Sequence, residues 1–288
     1  MEFGVKRGAF SAAASALILM SLGGVAVAQN SKLKDVELCN GVDRRSAEPQ
    51  IRGCTALIEA GKDSSQLLAI AYNNRGNAYI RKGEYDRAIE DFEQSMKLNP
   101  NYARPLNNRG VAYQKKGEYD RAIKDFDDSI KLNANYASAF ANRAATYLAK
   151  GDHDHAVRDY HEAIRLNPKV EAMWSGRCWV RAIIGKLQEA VADCTEAIRL
   201  EPNTAAAFDS RGLAHLKMSQ WDSAIEDYSA ALGINPKLAS SLYGRGLAKL
   251  KKGDTTGGSS DIAAATAIES NIVEIFGHFG LQQAEPVH

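Results

Sequence analysis

The sequence predicts an all-α solenoid of stacked helix hairpins, on three observations. The segment NNRGNAYIRKGEYDRAIEDF at 73–92 returns as NNRGVAYQKKGEYDRAIKDF at 107–126, displaced by 34 residues. An Arg followed by a small residue recurs on that period at Arg75-Gly76, Arg109-Gly110, Arg143-Ala144, Arg177-Cys178, Arg211-Gly212 and Arg245-Gly246, with an Asp 16 residues after each Arg. Apolar and small residues within a unit keep helical spacing: Tyr72, Gly76 and Tyr79, then Ala88, Phe92, Ser95 and Met96. One hairpin cannot bury both of its faces, so units repeated at this period must stack on their neighbours.

The elements follow in chain order. Lys6 and Arg7, an apolar run from Ala9 and the small residues Ala26-Val27-Ala28 predict a secretory signal peptide over 1–28, cut before Gln29. Residues 29–66 read as a degenerate N-terminal repeat or cap, because CTALIEAGK from Cys54 aligns with CTEAIRLEP from Cys194. Six units occupy 67–270. In five of them a first helix (A) ends at a glycine, where a left-handed residue is wanted: Gly83, Gly117, Gly151, Gly185 and Gly253. The second helix (B) is stopped by Pro100, Pro168, Pro202 or Pro236. In the last unit TTGGSS falls where helix B should begin, and its glycines predict a late start near Ser259. Residues 271–288 read as a capping helix, NIVEIFGHFGL, and a tail expected to fray.

Composition narrows the function classes. With 45% hydrophobic and 25% charged residues the chain is of ordinary globular type. Beyond residue 28 basic and acidic side chains balance, so no charge field argues for nucleic acid. No second apolar run is long enough to span a bilayer, so no membrane attachment is expected after cleavage. The expected location is an exported compartment, the periplasm, with full secretion as the alternative.

Four cysteines stand at 39, 54, 178 and 194. In the hairpin frame Cys178 takes the close-contact position of helix A and Cys194 the aromatic position of helix B, two levels that face each other. Cys39 and Cys54 fall at nearly the same places in the worn copy. An oxidising compartment then predicts Cys39–Cys54 and Cys178–Cys194 disulfides; the alternative is small buried thiols. No Cys-x-x-Cys suggests redox chemistry. His153, His155 and His161 do not share a helical face, so no metal site is expected, and His153 and His215 stand at packing positions. No nucleophile elbow, phosphate loop or catalytic carboxylate pair is present, so the chain is read as a non-enzyme without a cofactor. The periodic charges are read structurally: Arg75, Arg109, Arg143, Arg177, Arg211 and Arg245 lie level with Asp91, Asp125, Asp159, Asp193, Asp227 and Asp261. They should form a ladder of ion pairs within or between units.

These features together resemble the tetratricopeptide repeat family, whose pattern of aromatic, Leu-Gly, Tyr, then Ala, Phe, Ala and Pro is matched over 67–270 with Arg in place of Leu. The Arg-Gly form with paired cysteines is similar to exported bacterial versions. The resemblance implies a right-handed superhelix with the A helices lining its concave surface. It places Asn73, Asn77, Arg81, Arg104, Asn107, Asn108, Gln114, Lys115 and Asn142 in a polar stretch of that groove, and Trp179, Leu216 and Tyr243 in an apolar one. Asn can donate and accept along a peptide backbone, while Arg and Lys suit a carboxylate. Relatives that clamp a C-terminal carboxylate use Lys where this chain has Asn73 and Ser138, so it departs from that pattern. The expected function is a non-catalytic scaffold that binds a peptide or protein segment. The alternative is a structural or oligomeric component acting through helix B or cap surfaces.

Overall fold

A computed structural model describes residues 32–41 and 46–281. The signal-peptide reading of 1–28 and the tail 282–288 lie outside them. All regular elements among the described residues are helices. The chain falls into two compact bodies, divided after Lys116. The first holds α1 (32–39), α2 (Glu48–Ala60), α3 (Ser65–Lys82), α4 (Tyr85–Leu98) and α5 (Ala103–Lys115). The second holds α6 (Tyr119–Leu132), α7 (Ala137–Ala149), α8 (His153–Leu166), α9 (Glu171–Ile183), α10 (Leu187–Leu200), α11 (Ala205–Lys217), α12 (Trp221–Ile234), α13 (Ala239–Lys251), α14 (Thr255–Ile268) and α15 (Ile272–His278). Within each body consecutive helices pack as pairs, and each pair stacks on the next.

Close approach within a hairpin depends on the small residue after the periodic Arg. A Cβ added to Gly76 would lie 2.6 Å from Phe92 Cε1, and one on Gly212 would lie 2.9 Å from the Tyr228 ring. Phe92, Phe126 and Tyr228 are in turn almost wholly buried. Burying an aromatic of this size contributes about 1.5–3 kcal/mol. The left-handed turn after helix A is made by glycine in five units, but by Ser219 (φ 59°) in the fifth. A non-glycine residue pays local strain there.

Near the C-terminus the structure corrects one expectation. Helix α14 begins at Thr255 rather than near Ser259, because Asp254 caps it: its side chain accepts from the Gly257 amide at 2.9 Å. A cap of this kind is worth about 1 kcal/mol, enough to offset a helical glycine. Gly258 is also needed for contact, since a Cβ there would stand 2.7 Å from Leu250 and 2.9 Å from the Gly246 carbonyl. The final helix α15 buries Ile272 and Phe276 against the end of the second body.

Both cysteine pairs lie at disulfide distance, with Cα–Cα separations of 4.5 Å for Cys39–Cys54 and 5.4 Å for Cys178–Cys194. The first joins α1 to α2 where Gly53 lets them touch: a Cβ on Gly53 would be 2.6 Å from Leu38 Cβ. The second ties α9 to α10. All four sulfurs belong to buried residues, and closing loops of this length stabilises by about 3 kcal/mol each in the chain-entropy model. The folded protein is expected to resist maleimide labelling under mild reductant, and to label at four positions once denatured and reduced. Mass spectrometry under the two conditions checks this, and a chain that labels fully while native would contradict the pairing.

Candidate functional site

Five of the periodic Arg–Asp pairs lie wholly within one body. Nε and Nη2 of Arg75, Arg143, Arg177 and Arg245 donate to both oxygens of Asp91, Asp159, Asp193 and Asp261 at 2.7–2.8 Å. Arg211 holds Asp227 at 2.7–3.1 Å. Arg109 and Asp125 belong to different bodies. The remaining guanidinium nitrogen reaches back to the preceding B helix: Arg75 to Thr55, Arg109 to Glu93, Arg143 to Asp127, Arg211 to Thr195 and Arg245 to Ser229. Arg75, Arg143, Arg211 and Arg245 thus tie their own hairpins together and fix the stacking on the one before. One turn after the Arg the units differ. The first three carry Tyr79, Tyr113 and Tyr147, whereas the last three place a second cationic or basic group on the Asp: Arg181 at 2.6 Å, His215 at 2.8 Å and Lys249 at 2.8 Å. The acids are buried beneath these partners, so the ladder is framework.

The A-helix positions that precede each Arg differ between the two bodies. In the first body asparagines run from helix to helix. Asn74 Nδ2 donates to Asn40 Oδ1 (3.4 Å), Asn73 to Asn74 (3.3 Å), Asn108 to Asn73 (2.9 Å) and Asn107 to Asn108 (3.1 Å). Asn40 stands 34 residues before Asn74, so the worn copy joins the same ladder. Asn73 and Asn107 are buried. Asn73 is joined to the neighbouring A helix through Asn108, and the burial of both residues corrects the expectation that they face a ligand. Asn77, Asn108, Gln114 and Asn142 are half-buried, while Arg104 and Lys115 are exposed on α5. Arg81 is exposed and donates to Gln50 Oε1 at 2.6 Å.

In the second body two further expectations are corrected. Leu216 and Tyr243 are core residues, 2% and 0% exposed. Tyr243 is covered by Phe276 of α15, its ring centroid 4.7 Å away. Trp179 is half-buried and meets Phe279 edge-on at 5.5 Å.

Trp179 lines a cavity of about 450 Å³ formed by α9, α11 and the start of α13. It occupies the positions that carry Asn73 and Asn74 in the first unit. Here they hold Ser175 and Gly176 on α9, and Asp209 and Ser210 on α11. Short side chains leave open the space that the asparagines fill elsewhere. Gly176 cannot be larger, since a Cβ would come within 2.4 Å of Tyr160 Cζ below it. Asp209 is the one charged residue in the lining. Its carboxylate accepts from Ser240 Oγ at 3.1 Å and also from Ser241 Oγ. Burial pushes it up to about 6, against the pull of the two serine hydroxyls. At the edge of α9, Glu171 is also raised, by burial and by the charge of Glu201, while its bond from Thr204 opposes the shift. The surroundings are apolar and electronegative. Sequence reading passed over this site because its signal is missing bulk at ladder positions.

Among the described residues no His, Cys, Asp and Glu cluster could hold a metal ion, and no helix is long and apolar enough to cross a membrane.

Comparison with known proteins agrees with this architecture. Models of the tetratricopeptide repeat match residues 103–136 and 137–170, and related repeat models match 76–117 and 210–266. No curated protein matches the sequence. Among solved structures, PilF of Pseudomonas aeruginosa superposes with a TM-score of 0.66 at 16% identity, covering 75% of this chain and 99% of that one. A tetratricopeptide repeat protein of Parabacteroides merdae gives 0.62 at 17% identity, covering 88% and 100%. YrrB, described as a TPR protein with an unusual peptide-binding site, gives 0.54 at 19% identity, covering 67% and 100%. At these identities the likeness shows the fold alone. With the family models, the stacked hairpins and the 34-residue ladder in agreement, the chain carries tetratricopeptide repeats.

Proposed function

We propose that this chain is an exported, non-catalytic interaction scaffold that binds a segment of a partner protein on its A-helix face. The observation that carries the reading is the cavity between α9, α11 and α13. It is a preformed hollow at A-helix positions that differ from unit to unit in this chain, with largely apolar walls and one charged side chain. The repeats themselves support interaction with proteins in general, and YrrB shows that a solenoid of this kind can hold a peptide. Export rests on the basic and apolar N-terminal sequence and on the two buried cysteine pairs, with the periplasm as the proposed compartment. Binding to a rigid array needs little rearrangement of the scaffold.

A specific observation favours assembly as the second reading. Leu33, Val36, Leu67 and Ile70 are exposed around a hollow on α1, α2 and α3. The residues that repeat the Leu67 position are all polar: Asn101, Asn135, Lys169, Asn203 and Lys237. An apolar patch of this kind marks a contact surface.

One experiment separates the two readings. The chain from Gln29 is used for affinity capture from native envelope extract, beside Ala206→Trp, which plugs the cavity, and Arg104→Ala/Lys115→Ala on α5. The expected result is a partner retained by the α5 variant and lost by Ala206→Trp. Equal recovery by all three would move binding off the cavity. No partner, together with a mass that rises with concentration, would favour assembly through the apolar patch.

A further inference from the structure

The chemistry of the cavity narrows the partner, on the interaction reading above. An isolated carboxylate is costly to hold in apolar surroundings unless something compensates its charge. Ser240 and Ser241 supply hydroxyls to Asp209, the lining holds no cationic side chain, and Glu171 on α9, bonded by Thr204, is itself acidic. The buried ladder acids Asp91, Asp159, Asp193, Asp227 and Asp261 each have at least one Arg on them. Asp209 therefore stands out: a half-buried acid of the same array, lining an open cavity, with serine hydroxyls and no cationic side chain bonded to it.

We propose that the cavity takes up a lysine side chain of the bound polypeptide, its methylene stem along Trp179 and its ammonium on the Asp209 carboxylate. Lysine fits better than arginine for a geometric reason. Ser240 already bonds both oxygens and Ser241 adds a second bond to Oδ1. A bidentate guanidinium needs two parallel open acceptors, whereas an ammonium acts as a point charge and needs one. The roughly 450 Å³ of space is ample for a long stem that buries its methylenes while its charged end meets a polar group. Equivalent positions in the first body cannot do this, because Asn73 and Asn107 are neutral, buried and bonded to Asn74 and Asn108.

Random peptides displayed on phage, selected against the immobilised chain from Gln29, provide the test. Selected sequences are then synthesised and titrated by calorimetry against the wild type, Asp209→Asn and Ala206→Trp. The expected result is one shared Lys whose replacement by norleucine weakens binding to the wild type by about tenfold or more, as for loss of a desolvated charge pair. Replacement by Arg should weaken it less. The Asp209→Asn chain, its helicity checked by circular dichroism, should bind the Lys and norleucine peptides alike. Peptides that are lost with Ala206→Trp but bind equally with Lys or norleucine would overturn the lysine assignment and leave the interaction reading standing. No peptide selected by the wild type would overturn both.

Discussion

Arg143→Leu is expected to destabilise the array by about 3–5 kcal/mol, the cost of removing one partner from a buried pair. The substitution strips Asp159, 7% exposed, of both of its bonds from Arg143, and it also removes the bond to Asp127 on α6. The residue one turn on is Tyr147, which offers no compensating charge. Burial disfavours the Arg143 cation, yet the hydrogen bonds and charges of Asp159 and Asp127 outweigh it and raise its pKa above the usual arginine value. Arg177→Leu supplies the contrast. It leaves Asp193 still bonded to Arg181 at 2.6 Å, so its cost should be roughly half as large. Repeat arrays unfold regionally as well as globally, so urea denaturation is paired with hydrogen exchange of α7 and α8. The double variant Arg143→Met/Asp159→Leu should recover most of the loss, because apolar residues of similar volume often replace a buried ion pair without penalty. Equal stability of Arg143→Leu and wild type would show that the ladder is decorative.

The ladder was legible from sequence because its signal is periodic and made of charged side chains. Arg and Asp 16 residues apart can only be level across a hairpin, and six copies leave no other register. What was not legible is informative in physical terms. Asn73 and Asn107 look like ligand-gripping amides until the structure shows both buried, each donating to the Asn that follows it, with Asn73 accepting from Asn108 of the next A helix. Tyr243 and Leu216 look like groove residues because a local pattern does not reveal that α15 folds back over the last hairpins. TTGGSS looks like a broken helix start because propensity weighs the glycines, while the single residue that matters, Asp254, lies just before them. The cavity was missed for the opposite reason to the ladder. It is made by what Ser175, Gly176, Ala206 and Ser210 lack, and a void has no letter in a sequence.

Asp209→Asn is expected to stabilise the protein at neutral pH by about 3 kcal/mol, the equivalent of moving a carboxylate from 3.8 in the unfolded chain to about 6 in the folded one. Below the unfolded value the carboxyl is protonated in both states, and the variant should gain nothing. As pH rises from 3.8 to about 6 the unfolded chain releases the proton first, so the folded state loses stability through this group; above that range the full cost persists. The amide introduced by Asp209→Asn does not titrate, so the advantage of the variant should open across that window and stay constant beyond it. Urea midpoints of both chains near pH 4 and near pH 7.5 measure the difference directly. The same comparison in the presence of a lysine-bearing peptide selected by the wild type should narrow the gap near pH 7.5, because an ammonium on Asp209 lowers its pKa and binds only the folded wild type. A constant gap at both pH values would mean that Asp209 is hydrated in the folded protein. It would then have no unmet charge to offer a ligand.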